Sequence, residues 1–228
     1  MFGKEKSLVR DLEKSKSLDD SIRIYETLLL KYPDKINYWD EYIRYILANY
    51  KQMEVDSWVE ILEKALSAAR KATKLFSNHS RFYVYECKIM IELIKVSPFP
   101  YTARFPDNIL LETLDKAYSI NNNNADVYLL RGNIFAANNE RDKAEENYQK
   151  ALNLNNINYD FMFLLDKAIN NELSNNYKQA IEDYQLIIDN EKDDSLLSIV
   201  YGRLVGVYEK EDNITKVNYY KSLMRNQG

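Results

Sequence analysis

Six residues between 125 and 156 constrain what this chain can fold into: Tyr128, Gly132, Phe135, Ala144, Tyr148 and Ala151 follow one another at +4, +3, +9, +4 and +3. Steps of three and four residues put side chains on one helical face, so the series reads as two helices joined by a turn. The series returns in Ala168, Tyr177, Ala180, Tyr184 and Ile187, with Ala144 and Ala180 standing 36 residues apart. A period of that size marks stacked helical repeats. One helix pair cannot bury both of its faces and needs neighbours. With 5 Gly and 4 Pro in 228 residues, little interrupts helices along the rest of the chain.

The spacing resembles the tetratricopeptide repeat (TPR), a unit of two antiparallel helices. The resemblance implies that Gly132 and Ala144 are the small residues where the helices cross, with Tyr128, Phe135 and Tyr148 filling the space around them. It extends to a weaker last unit, with Tyr201, Leu204, Val205 and Tyr208 on one helix and Ile214, Val217 and Tyr220 on the other. Upstream, Tyr83, Cys87, Met90 and Ile94 recur at helical spacing, and Asp107–Asn121 reads as the partner helix, with Ala117 lying 34 residues before Ala151. Cys87 then holds a crossing position and is expected to pack rather than react.

The N-terminal third differs. Arg23, Tyr25, Glu26, Pro33, Trp39 and Tyr42 are similar to the half-a-TPR (HAT) variant of RNA-processing scaffolds, which favours Arg-x-Ile-Tyr-Glu, a Pro and Trp-x-x-Tyr. Val55–Phe76 follows as a long helix with Trp58, Leu62, Ala65, Leu66, Ala69 and Ala72 inward. The expected fold is an all-α, right-handed α-solenoid of about six antiparallel helix pairs. Residues 1–121 are expected to form HAT/TPR-like repeats and 122–228 TPR repeats of one continuous solenoid.

Cys87 and Leu110 occupy crossing positions 23 residues apart, where the regular repeat has 12. The extra residues are a loop over 95–106 that holds three of the four prolines together with Phe99, Tyr101 and Phe105. Insertions in repeat arrays map to one rim and often carry binding. The alternative is that the three aromatics fold back over the repeat.

Catalysis is not expected, and neither is a cofactor or metal. His79 is the single histidine, in a polar turn beside a helix start, and Cys87 the single cysteine, so zinc ligands are lacking. No Gly-rich loop can cradle phosphate. Carboxylate pairs such as Asp19/Asp20, Asp40/Glu41 and Asp193/Asp194 lie at helix starts or on polar faces, where they answer the helix dipole. A net charge of −4 gives no global attraction to nucleic acid or anionic lipid. No apolar run approaches the ~18 residues of a membrane span. One cysteine and no signal-peptide core suit a reducing compartment, so the cytoplasm is expected, with the nucleus as the alternative.

A protein or peptide ligand in the concave groove of the repeat is therefore expected. Arg81, Lys88 and Lys95 recur every seven residues and form one basic stripe, with Arg44 on the preceding unit, while Lys64, Arg70, Lys71 and Lys74 share one side of the long helix. Such a stripe suits an acidic peptide or a phosphate backbone, and RNA is the alternative ligand. In the C-terminal half the resemblance places Leu129, Asn133, Leu165 and Ile169 in the groove, which suggests an apolar or amphipathic partner segment. The heat-shock chaperone tail clamp is not expected. Asn133 and Arg203 match its positions, but Leu129, Asp166 and Ile199 do not, and Asp166 would repel a carboxylate. The resemblance implies a non-catalytic scaffold for protein–protein interaction in an intracellular complex, with a HAT-type subunit of an RNA-processing particle as the alternative.

Overall fold

The computed structural model describes residues 2–15, 17–138, 140–154, 161–191 and 194–225, and every regular element among them is helical. The chain divides into two compact units, Met1–Asn123 and Asn124–Gly228.

The first unit holds α1 (Phe2–Lys14), α2 (Leu18–Lys31), α3 (Ile36–Asn49), two 3-10 turns (Tyr50–Gln52 and Val55–Ser57), α4 (Trp58–Leu75), α5 (Ser80–Val96), α6 (Pro98–Arg104) and α7 (Asp107–Ile120). Each of α1 to α5 packs on the next, and α5 also carries α6 and α7. Helix α2 starts where the Ser17 side chain accepts a hydrogen bond from the Asp20 backbone N–H at 3.1 Å, with Asp19 and Asp20 in the first turn. It ends with the Tyr32 N–H on the Leu28 carbonyl, ahead of Pro33, which has no N–H to continue the ladder. The long helix expected from Val55 begins instead at Trp58, whose indole N–H is held by the Met53 carbonyl at 3.0 Å. Ala65, Ala68, Ala69 and Ala72 are buried on α4, small enough to let α3 and α5 approach from two sides.

The HAT-like residues meet one another. Tyr25 packs against Tyr42 with ring centroids 5.9 Å apart, the Tyr42 hydroxyl donates to Glu26 at 3.3 Å, and the Trp39 indole donates to the Pro33 carbonyl at 3.0 Å. Their spacing follows from these contacts between α2, α3 and the turn joining them.

The second unit is α8 (Ala125–Ala137), α9 (Arg141–Leu154), α10 (Phe161–Leu173), α11 (Tyr177–Asn190), α12 (Asp194–Lys210) and α13 (Ile214–Arg225), packed as the pairs α8/α9, α10/α11 and α12/α13. Asn175 and Asp212 turn the last two pairs in the left-handed region, at φ 59° and 53°. Asn and Asp tolerate that region better than other side chains, so these tight turns are made without glycine. Tyr148, Tyr184 and Tyr220 recur every 36 residues and are all buried. Each hydroxyl is answered: Tyr148 donates to Asn133 Oδ1 at 3.0 Å, Tyr184 to Glu172 at 2.8 Å and Tyr220 to Gln185 at 3.4 Å.

Between the first two of these pairs lies a buried ion network. The Lys167 ammonium reaches Asp183 at 3.1 Å and Glu145 at 3.4 Å, and sits over the Tyr148 ring at 5.7 Å. Asn171 adds a donor to Asp183 at 3.0 Å. Burial pushes the Asp183 carboxyl above its ordinary range despite Lys167 and Asn171.

Gly132 is the tightest point of the unit: a Cβ there would stand 2.5 Å from Tyr148 Cδ1, inside a ring with no exposed surface. Gly206 on α12 faces open space, with nothing within 4 Å of an added Cβ. Gly132→Ala is expected to lower stability by about 1–3 kcal/mol through overpacking. Gly206→Ala is expected to raise it by about 0.5–1 kcal/mol through helix propensity. Urea unfolding of both variants, followed by helical circular dichroism, checks the opposite signs.

Candidate partner-binding face

The side chains of α3 and α5 meet across two carboxylates. Asp40 accepts the Tyr85 hydroxyl at 2.9 Å and ion-pairs with Arg81 and Arg44, each at 3.3 Å. Further along α5, Glu92 accepts the Tyr50 hydroxyl at 2.5 Å and pairs with Lys95 at 2.9 Å and Lys51 at 3.9 Å. The acids are recessed, with 14% and 20% of their side chains exposed, while the four cations around them keep 55–67%. Lys88 lies half-buried on α5 between Arg81 and Lys95. Two carboxylates thus anchor four cations whose tips stand in solvent. Exposed pairs of this kind contribute about 0–1 kcal/mol each, too little to withhold the cations from an anionic ligand.

Burial alone would raise the Glu92 carboxyl, but Lys95, the Tyr50 hydroxyl and Lys51 more than offset it and hold it below its ordinary range. The same hydrogen bonds act the other way on the phenols. Burial and then the carboxylate partner push Tyr50 and Tyr85 upward.

Of the residues expected to contact a partner in this unit, Arg44, Arg81 and Lys95 are brought together on this face and Lys88 lies beside them. The 95–106 insertion behaves differently. It is largely helical, and Tyr101 and Phe105 are buried, their rings stacked at 5.9 Å. The Arg104 guanidinium covers the Phe105 ring at 4.8 Å and pairs with Glu63, and Arg70 approaches Phe105 from α4 at 5.8 Å. Tyr101 and Phe105 are therefore used in anchoring the insertion, because ring burial combined with two guanidinium contacts outcompetes exposure to water. Phe99 alone remains outside, 89% exposed between two prolines.

In the second unit, Leu129 and Leu165 are buried in the core and Ile169 packs against it. The apolar anchors expected for a partner there are covered by the protein's own helices. Asn133 accepts the Tyr148 hydroxyl, and Arg203 pairs with Glu172 at 3.6 Å. Ile199 is exposed, while the side chain of Asp166, like Asp193, lies outside the described residues.

The anchoring role of Asp40 and Glu92 was not visible in the sequence. Asp40 stands in the second turn of α3 and ties α3 to α5, a role that its closeness to the helix start concealed. Its partners lie 41 and 45 residues away. Cys87 is fully buried, its thiol pushed up by burial and directed at the Leu110 carbonyl at 3.9 Å, so the two crossing positions meet despite the insertion between them. His79 stands at the N-cap of α5 without a side-chain capping bond, its Nδ1 2.7 Å from Asn78 Oδ1. Among the described residues no group of three His, Cys, Asp or Glu side chains could hold a metal ion, and no helix is long and apolar enough to cross a membrane.

Comparison with known proteins agrees with this architecture. A family model described as the PRP39 N-terminal HAT repeat matches residues 2–92. The TPR protein TTC0263 of Thermus thermophilus superposes with a TM-score of 0.67 at 18% identity, over 88% of this chain and 99% of that one. MamA superposes with a TM-score of 0.53 at 16% identity, over 86% of this chain and 96% of that one. The chain has a TPR-like repeat fold, with likeness to a HAT repeat over residues 2–92. No curated protein matches it in sequence. Stacked repeats present extended surfaces, and on this one the α3/α5 face carries four exposed cations.

Because its buried phenols are held protonated, the repeat protein has an alkaline limit. Tyr25 and Tyr38 are pushed from 10.0 to about 12, in both cases chiefly by burial. A raised pKa means stabilisation that is present in full below about pH 10 and is lost as pH rises through the folded value. Between pH 10 and 12, helicity and tyrosinate absorbance are expected to change together. Tyrosinate absorbance completed near pH 10, with none left to develop toward pH 12 and helicity intact up to pH 12, would contradict the burial described above.

Proposed function

We propose that this chain is a non-catalytic adaptor that holds partner proteins in an intracellular assembly, and that the α3/α5 face grips an acidic segment of one partner. The observation that carries this is the pairing of recessed acids with exposed cations: Asp40 and Glu92 fix Arg44, Arg81, Lys51 and Lys95 in place while leaving their outer surfaces to solvent. Cations already held in one geometry lose less side-chain freedom on binding than free ones do. An acidic peptide laid along α3 and α5 would meet charge where the rest of an acidic chain offers repulsion.

A second reading is favoured by one observation, the match of residues 2–92 to a HAT-repeat model. Under it the chain is a HAT-type subunit of an RNA-processing particle and the same cations face phosphates. The geometry supports the peptide more strongly. Recognition of single-stranded RNA draws on aromatic platforms for its bases, and here Tyr50 is buried with its ring against Trp58 while the Tyr85 ring packs on Phe82.

The test is purification of the tagged full chain from its own cells, with and without RNase. Alongside it runs an Arg44→Glu/Arg81→Glu/Lys95→Glu variant whose helicity is checked first. A stoichiometric protein set that survives RNase and is lost from the variant is the expected outcome. Partners released by RNase would favour the particle reading, and recovery of the chain alone would overturn both.

A further inference from the structure

The lysines of α4 are not used by the α3/α5 face. Lys64 and Lys71 stand seven residues apart on the edge of a cleft of about 320 Å³ between α2 and α4, floored by α3. The opposite edge is apolar: Leu29 and Leu30 come from α2, with Leu30 84% exposed, and Trp39 lies at the base. One acid lines the cleft, Glu26, and it already accepts the Tyr42 hydroxyl at 3.3 Å. Lys64 has an exposed neighbour in Glu60 at 3.1 Å, whereas Lys71 makes no ion pair among the described residues. One edge is therefore greasy and the other cationic, and the cleft uses a different face of α3 from Asp40 and Arg44.

We infer that this cleft seats a helix of a partner protein, one with apolar residues against Leu30, above the buried Leu29 and Trp39, and carboxylates seven residues apart against Lys64 and Lys71. The spacing carries the assignment. Two residues seven apart on a helix are ~10.5 Å apart along its axis and nearly in line, so carboxylates with the same spacing on a partner helix face the two ammonium groups together. Helices bind grooves through anchors three, four and seven residues apart, and the apolar edge accepts such anchors. A partner helix with lysines in place of the carboxylates would set like charges against each other and be rejected. This surface is separate from the α3/α5 face, and its occupancy does not depend on the function proposed for that face. A chain with both surfaces could bridge two partners.

The probe is a fluorescein-labelled, alanine-based helical peptide of 18 residues, about five turns, with leucines at three- and four-residue steps and two glutamates seven apart on one flank. Its control carries lysines at the two glutamate positions. Anisotropy titrations on the unmodified full chain are expected to show saturable binding of the glutamate peptide, at least about tenfold tighter than the lysine control, or about 1.4 kcal/mol. Leu30→Glu, at an exposed position, is expected to remove it. Lys64→Glu/Lys71→Glu is expected to reverse the preference between the two peptides. Trp58→Phe leaves Trp39 as the single tryptophan, so its emission should shift on binding. The Arg44→Glu/Arg81→Glu/Lys95→Glu variant should bind the peptide as the parent does, which separates this site from the α3/α5 face. Equal affinity for both peptides, binding unaffected by Leu30→Glu, or an unchanged preference in the double lysine variant would overturn the assignment.

Discussion

A tyrosine wedged between two helices gains by burying its ring but needs an acceptor for its hydroxyl, and much of this chain is arranged around that requirement. A phenol buried without a partner costs on the order of 1–3 kcal/mol, comparable to the net contribution of several ordinary hydrogen bonds. In the second unit the acceptors for Tyr148, Tyr184 and Tyr220 come from Asn133, Glu172 and Gln185, one for each repeat of 36 residues. In the first unit the acceptors are all carboxylates: Glu5 for Tyr38 at 2.7 Å, Glu26 for Tyr42, Glu92 for Tyr50 and Asp40 for Tyr85. Two of these bonds join helices of neighbouring pairs, α1 with α3 and α3 with α5, so the same bond that satisfies the hydroxyl also sets the stacking.

The surface chemistry follows from this packing requirement. A carboxylate recessed to accept a phenol keeps its second oxygen and its charge, and water reaches it poorly. Cations that can bend toward it are therefore held beside it, as Arg44 and Arg81 are at Asp40 and Lys51 and Lys95 are at Glu92. Each acid neutralises one of its two cations, and the excess charge faces outward. The row of exposed cations on this face of an acidic chain is thus a by-product of how tyrosines are buried there. The face proposed for binding and the packing interface share the same residues.

What could be read from the sequence and what could not divide along the range of the interactions. Gly132, Ala144, Cys87 and the aromatics around them were legible because helical period and repeat length place them without knowledge of any distant contact. The excess between Cys87 and Leu110 likewise disclosed the insertion. The way Tyr101 and Phe105 fold back depends on Glu63, Arg70 and Arg104 meeting across α4 and α6, which no spacing encodes. Leu129 and Leu165 sit at repeat positions that line grooves in the general pattern, but here the neighbouring pair packs close enough to bury them. Asp40 looked like a residue answering the helix dipole because that explanation is local, while its partners on α5 are not. The hydroxyl bonds of Tyr38, Tyr42, Tyr50, Tyr85, Tyr148, Tyr184 and Tyr220 tie one element to another in the same way, over separations that no local spacing encodes.

The two units use their charges in opposite ways, and this bears on where a partner is met. In the second unit Lys167 is almost wholly buried, and removing an ammonium from water costs several kcal/mol before its partners act. Asp183, Glu145 and the Tyr148 ring supply the compensation, and the cation is thereby consumed inside the protein. An apolar residue of similar size would fill the space with less desolvation, so the network is weak evidence for stability; what it does is tie α10 to α9 through Glu145 and to α11 through Asp183. In the first unit the acids are inside and the cations outside, so fixing the helices leaves charge free at the surface. A chain built from one repeat pattern thus holds a lysine inside one half and presents arginine and lysine at the surface of the other, and the depth of the carboxylates decides which.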